Sequence, residues 1–253
     1  MLASRRRVRT STRVRRASSS QRQPMSTKPR TATYDQRPGS ISISSPMRLP
    51  CSASWDTARI GLIGGECTGK STIAAMLAER LPGSVASEVL REFVATRGRV
   101  PRMDEQRQVM LDQVAREEAL AVEVSSHSAG GRRVVIGDPA PAMTALYSDV
   151  YYGDDSLLGD AVQHAGCYDL VLWCRPDLPW VPDPGQRDGP EYRALVDERI
   201  GRFVRDHLAP AGIGVIELTG DVSARLTTAV AAFHARMAAA SRAWQPPASA
   251  PAT

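Results

Sequence analysis

The sequence predicts an α/β fold: one parallel sheet of five strands with helices on both faces. Two observations carry that expectation. Short apolar runs alternate with longer segments that repeat apolar residues at helical spacing, which is how strands buried on both faces and their crossover helices read. The apolar runs are also rich in β-branched residues and end in glycine or other turn residues. With 253 residues, 42% of them hydrophobic, the chain is long enough for one well-buried domain with extensions.

Arg59–Ile63 is the first apolar run and ends in glycines. Ser71–Leu81 places Ile73, Met76 and Leu77 on one helical stripe, and Pro82-Gly83 stops it. Ser84–Ser87 is a short second strand. Met103–Ser126 repeats Val109, Val114 and Leu120 among many charges, the pattern of a long, partly exposed helix. Val134–Ile136 is a third strand and Ala140–Tyr151 a helix. Asp169–Cys174 (DLVLWC) is the fourth strand. Pro176–Pro190 holds five prolines and is a loop. Glu191–Leu208 is a helix, Ile213–Leu218 the fifth strand, and Val222–Ala239 an Ala-rich closing helix. The domain is expected over residues 56–240, with a Pro/Ala tail at 241–253.

The net charge of +5 is unevenly spread. Residues 1–50 carry eleven Arg, Lys28 and a single acid, Asp35, so that segment is strongly basic and the remainder mildly acidic. Residues 1–55 lack apolar clustering and cannot bury enough surface to offset their ordering entropy, so disorder is expected. Three other readings stand beside it: an Arg-rich arm for nucleic acid or anionic lipid, a targeting peptide, and a start site further along, at Met25 or Met47. No run approaches the ~18 apolar residues that cross a bilayer. The four cysteines, Cys51, Cys67, Cys167 and Cys174, form no Cys-x-x-Cys pair. Free thiols in a reducing cytoplasm are therefore expected, with no structural zinc site.

Gly64-Gly65-Glu66-Cys67-Thr68-Gly69-Lys70-Ser71 fits G-x-x-x-x-G-K-[ST] between an apolar strand and an amphipathic helix. Gly64 and Gly69 permit backbone angles that turn amides of Gly65, Glu66, Cys67, Thr68 and the helix start inward around phosphate oxygens. Lys70 is placed for the β- and γ-phosphates of ATP, and the Ser71 hydroxyl, followed by Thr72, for Mg²⁺. Lys28 and Lys70 are the only lysines; every other basic residue of the folded part is Arg. A planar guanidinium replaces a compact ammonium poorly between phosphates. Cys67 reads as a small loop filler or as a thiol sensitised by the helix N-terminus.

Asp138 follows the third strand at its C-terminal end, where open α/β sheets bind ligands. It is assigned to the magnesium side, the alternative being an N-cap of the next helix. Glu88, or Glu92 one turn on, is the candidate base for an acceptor hydroxyl, and Arg91 a candidate phosphate contact. A solvated i,i+3 pair is the competing reading. The Pro-rich loop carries Trp180, Asp183, Arg187 and Asp188, with Arg193 beyond it, and is expected to act as a lid bringing Arg187 to the transferring group. A connector packed on the domain edge is the alternative.

Together these segments resemble the ribosylnicotinamide kinase domain of the NadR proteins, within the AAA-type group of P-loop ATPases and kinases. GGECTGKST resembles that family's GxESxGKST, and SEVLREFV (87–94) its SEYAREYV. VVIGD (134–138), a helix and Tyr151-Tyr152-Gly153 resemble its strand–Asp–helix–YYG stretch. YDLVLWCRPDLPWVPDPGQR (168–187) resembles its YDL…PDIPWVxDGxR. The resemblance implies a P-loop kinase that uses ATP and Mg²⁺ to phosphorylate a nucleoside, nicotinamide riboside first, in NAD biosynthesis. It implies Lys70 and Ser71 at phosphate and metal, Asp138 as the metal-side acid and Arg187 as the lid arginine. Glu88 falls near the acceptor sugar, and Trp180 and Asp183 on the substrate side. The chain departs from the family pattern at Asp138-Pro139, at Val89-Leu90, and by one extra residue before Arg187. A 55-residue polar tail is too short for the adenylyltransferase and DNA-binding domains of NadR proteins. No membrane partner is implied, and nucleic acid only through the tail.

Overall fold

A computed structural model describes residues 57–126, 132–181 and 189–243. The tail expected at 1–55, and Cys51, Asp183, Arg187 and Asp188, lie outside the described residues, as do residues 244–253 of the tail expected at 241–253, whose first three residues instead continue the last helix. The elements run β1 (Thr57–Ile63), α1 (Lys70–Arg80), β2 (Gly83–Ala86), α2 (Val89–Arg97), α3 (Met103–Ser126), β3 (Arg133–Gly137), α4 (Ala142–Tyr152) and α5 (Leu158–Ala165). They continue with β4 (Leu170–Cys174), α6 (Pro190–Phe203), a π-helical turn (Val204–Leu208), β5 (Val215–Leu218) and α7 (Val222–Ala243).

The five strands form one parallel sheet in the order β2-β3-β1-β4-β5. The expected fold class is therefore the observed one. β1 lies at the centre and is buried along its whole length. Side chains alternate across a strand, so β1 feeds two cores. Ala58, Ile60 and Leu62 pack with Val134, Ile136, Leu172 and Cys174 beneath α1 and α7. On the opposite face Ile63, Val171 and Trp173 pack against α3, α4, α5 and α6. Both faces of the sheet being covered explains why β3 and β4 read as unbroken apolar runs. Among the described residues no helix is long and apolar enough to cross a membrane.

Several boundaries differ from the sequence reading, each for a local reason. α4 begins at Ala142, two residues later than expected, because Pro139 and Pro141 hold the preceding residues away from helical angles. α6 opens one residue earlier, on Pro190, whose missing N–H costs nothing in the first turn, and its last turn is π rather than α. Two helices, α2 and α5, were not predicted. The expected set of free thiols holds for Cys67 and Cys174 but not for Cys167, which is disulfide-bonded. Cys167 is half-buried in the turn after α5.

A buried polar group sits between α3 and the sheet. Glu117 is fully buried; its Oε2 accepts the Tyr168 hydroxyl at 2.8 Å, and its Oε1 has no partner. Burial lifts its carboxyl to about 8, against the opposing pull of the Tyr168 hydrogen bond and the Arg59 charge. An acid whose native pKa is raised stabilises the fold below its unfolded pKa. That contribution is lost as pH climbs from about 4.5 to 8, because only the unfolded chain gives up its proton in that window. The wild-type chain is expected to lose about 2–3 kcal/mol more than Glu117→Gln between pH 6 and pH 8, which denaturant titrations at the two pH values would measure. Equal losses in the two proteins would refute a buried neutral Glu117. His164, stacked edge-on to Tyr168 at 5.3 Å, is lowered by burial to about 4. It acts at the other end of the scale, costing stability as pH falls from 6.5 towards 4.

Candidate functional site

The loop between β1 and α1 leaves the centre of the sheet and turns on residues in unusual backbone regions. Gly64 has φ +150°, Cys67 +54° and Gly69 +79°. At Gly64 a side chain is excluded by space as well as angle, since a Cβ would lie 2.7 Å from the Cys174 carbonyl oxygen and 2.8 Å from Thr68 Oγ1. The Lys70 ammonium donates to the carbonyls of Gly64 at 2.7 Å and Gly65 at 2.6 Å. The buried Thr68 hydroxyl also donates to Gly65, at 2.8 Å. α1 starts on Lys70 with Gly69 as N-cap; no side chain caps it and no acid stands in its first turn. Its N-terminal donors and dipole are thus left for an anion. Ser71 and Thr72 are exposed on that first turn, and Glu66 and Cys67 are half-buried on the loop.

Asp138 leaves the end of β3 beside this loop. A cis peptide joins it to Pro139, and the Ala140 amide returns to the Leu62 carbonyl of β1 at 2.9 Å. Asp138 is 8% exposed, and its Oδ1 has no hydrogen-bond partner. It does not cap α4, whose N-cap is Pro141, so the capping alternative is set aside. The buried Cys174 thiol marks how close these charges lie. Burial pushes it up to about 11, Lys70 and Arg225 pull it down, and Asp138 raises it. Among the described residues no group of three or more His, Cys, Asp or Glu side chains could hold a metal by itself. One buried carboxylate and one hydroxyl suit a magnesium ion that keeps most of its shell in water and phosphate oxygens.

The loop also touches α4: the Gly64 N–H points at Met143 Sδ, 3.4 Å away. Met143 is one wall of a narrow pocket shared with Glu88, Gln113, Pro139, Thr144 and Tyr147. This narrow cleft lies between the residues after β2, the face of α3 and the start of α4, and Met143 links it to the phosphate loop. Tyr147, Tyr151 and Tyr192 continue from it as a stack with ring centroids 5.8 and 6.2 Å apart.

Of the two candidate bases, the pocket takes Glu88. Glu92 is exposed and held by the Arg116 guanidinium at 2.6 and 2.7 Å, which lowers its pKa. Glu88 also pairs with Arg91 at 3.3 Å. Arg91 is well exposed and makes the i,i+3 pair that sequence reasoning offered as its alternative role.

Beside the Pro-rich segment, Arg193 of α6 reaches back to the Leu178 carbonyl at 2.8 Å and the Cys67 carbonyl at 3.5 Å, with its guanidinium 5.5 Å over the Trp180 ring. The Cys67 thiol donates to Val181 at 3.3 Å. The stem of the Pro-rich segment therefore rests on the phosphate loop. Trp180 is covered by an arginine of the chain itself.

Sequence reasoning missed Arg225 on α7. It is fully buried, and its guanidinium donates to the Gly220, Thr68 and Arg175 carbonyls and to Asp177. A signal existed: Arg225 heads an i,i+4 stripe with Ala229 and Phe233, both core residues, so it stands on the apolar face of its helix.

The chain belongs to the AAA domain family, whose model matches residues 59–225. No curated protein matches it. Two crystal structures of NadR protein, one in complex with NAD and AMP-PNP and one in complex with NR, are similar in fold. Each is 20% identical and matches 72% of this chain, with TM-scores of 0.55 and 0.53. This chain spans about half their length, 50% and 52%. Deoxyadenosine kinase from M. mycoides with bound dATP is also similar, at 13% identity over 70% of this chain and 99% of its own, with a TM-score of 0.46. The NadR-like resemblance read from the motifs is thus matched by the fold.

Proposed function

We propose, starting from membership of the AAA domain family, that the chain transfers the terminal phosphoryl group of ATP to the 5′-hydroxyl of a nucleoside, with nicotinamide riboside as the preferred acceptor. The observation that carries this reading is the junction at Met143. There Met143, which takes the Gly64 N–H of the phosphate loop, also lines a narrow cleft with the Glu88 carboxylate. The NadR motifs supply the choice of nucleoside.

In this reading the loop amides and the Lys70 ammonium hold the ATP phosphates. Ser71 and Asp138 would hold Mg²⁺, which would neutralise charge on the phosphates. Glu88 orients the acceptor hydroxyl and takes its proton as the new P–O bond forms and ADP leaves. The acceptor ring lies towards Tyr147 and its stack. Arg193 already spans the loop and the stem of the Pro-rich segment, and Arg187, Asp183 and Trp180 keep the lid and acceptor-side roles that the NadR resemblance implies. Positioning and charge neutralisation do most of the work in such a transfer.

The test is ATP-to-ADP conversion with Mg²⁺ against a panel of nucleosides. Stimulation by nicotinamide riboside, with formation of its 5′-phosphate, is the expected result. Turnover that no nucleoside stimulates would replace transfer by hydrolysis. Stimulation by a different nucleoside would keep the kinase and change its acceptor.

A further inference from the structure

Arg225 is the largest fully buried side chain among the described residues, yet it carries a charge. An unpaired guanidinium in that position would cost several kcal/mol, and the protein offsets this with acceptors drawn from three separate segments. Nε donates to Gly220 O at 2.8 Å in the β5–α7 turn. One terminal nitrogen donates to Thr68 O at 2.8 Å in the phosphate loop. The other donates to Arg175 O at 3.0 Å and to the Asp177 carboxylate, just past the end of β4. Asp177 is bound a second time, accepting the Gly220 N–H at 2.5 Å.

The bond to Thr68 has a consequence for the loop. A peptide unit is planar and trans, so its C=O and N–H point in opposite directions. Holding the Thr68 carbonyl towards α7 aims the Gly69 N–H the other way, away from α7. The guanidinium is planar and rigid, so a shift of Asp177 at one end is passed to Thr68 at the other.

We propose that Arg225 is a positioning residue for nucleotide binding: it orients the Thr68–Gly69 peptide of the phosphate loop and couples that orientation to Asp177, just past the end of β4. Arg225 touches no substrate in this account. The inference rests on the reading that the loop binds nucleoside triphosphate.

Calorimetric titration of the full chain with AMP-PNP and Mg²⁺ tests it, because the method separates affinity from the fraction of competent protein. Arg225→Lys keeps the charge but loses the planar fork. Asp177→Asn leaves Arg225 in place and places an amide donor against either the guanidinium or the Gly220 N–H. Each variant is expected to weaken AMP-PNP at least 10-fold with stoichiometry unchanged. The double variant should be no weaker than Arg225→Lys alone, since both act along one path. A purely structural role would lower the stoichiometry and leave the affinity of the remainder intact, and that result overturns the proposal. So does wild-type affinity in both variants. Should Arg225→Lys fail to fold, Asp177→Asn decides by the same two readings. If the wild-type chain does not bind AMP-PNP at all, the reading of the loop fails and the inference with it. Wild-type binding with unaltered variants removes the inference alone.

Discussion

Lys70→Ala is expected to lower ATP turnover by at least about 100- to 1,000-fold, the cost of removing one preorganised donor from a developing charge, while the protein stays folded. The second half of that expectation comes from geometry. Lys70 is half-buried and donates only to the carbonyls of Gly64 and Gly65, and Gly65 keeps the Thr68 hydroxyl. Two hydrogen bonds from a charged donor, about 1.5 kcal/mol each at a half-buried site, are what the fold loses. In a domain of this size that is a shift of roughly 6–12 °C in melting temperature. Lys70→Arg should do nearly as badly in turnover, since the positive charge survives but a bulky fork must fit a space lined by loop backbone. Turnover within a few-fold of wild type in Lys70→Ala would end the phosphate-loop mechanism.

Asp138→Asn is expected to cut turnover about 100-fold or more and to leave stability unchanged or higher, an unusual pair of signs. A buried carboxylate oxygen with no partner is a cost to the fold, of about 1–3 kcal/mol for an unsatisfied polar group. Neutralising the side chain at nearly constant volume relieves part of it. A residue kept at a loss in stability points to a ligand that uses it. Turnover and thermal melts on the same preparation read both quantities. A drop in melting temperature with full activity would make Asp138 a structural residue and sink its assignment to the metal side.

What the sequence made legible was what is local. The phosphate loop is eight consecutive residues whose angles and spacing carry their own chemistry, and Gly64 and Gly69 take the positive φ values that the motif demands. Strands β3 and β4 were readable because burial on both faces leaves them no polar alternation. α5 was missed because its buried face is made of Leu158, Asp160, Ala161, His164 and Ala165, where an acid and a histidine interrupt the apolar pattern over only eight positions. α2 was hidden because one of its nine residues is buried, so it shows almost no periodicity. The choice between Glu88 and Glu92 could not be read from spacing. It is made by Arg116, on a different helix, which claims Glu92. Arg225 was passed over because charges are usually solvated, and only the tertiary fold shows the four acceptors that make its burial tolerable.

The strand order bears on when the site can exist at all. β1 comes first in the chain but lies at the centre of the sheet, where Ile60 is paired with Ile136 on one side and Leu170 on the other. Both partners are far downstream, so closing these pairs carries the loop-closure entropy of long separations before any contact repays it. During synthesis the phosphate loop emerges early yet has nothing to stand on until β3 and β4 have followed. Arg225, which fixes the Thr68 carbonyl, arrives later still. Nucleotide capture should therefore be among the last properties a growing chain acquires: nascent chains ending before β4 would be unable to retain ATP, although the whole G-x-x-x-x-G-K-S sequence had long since left the ribosome.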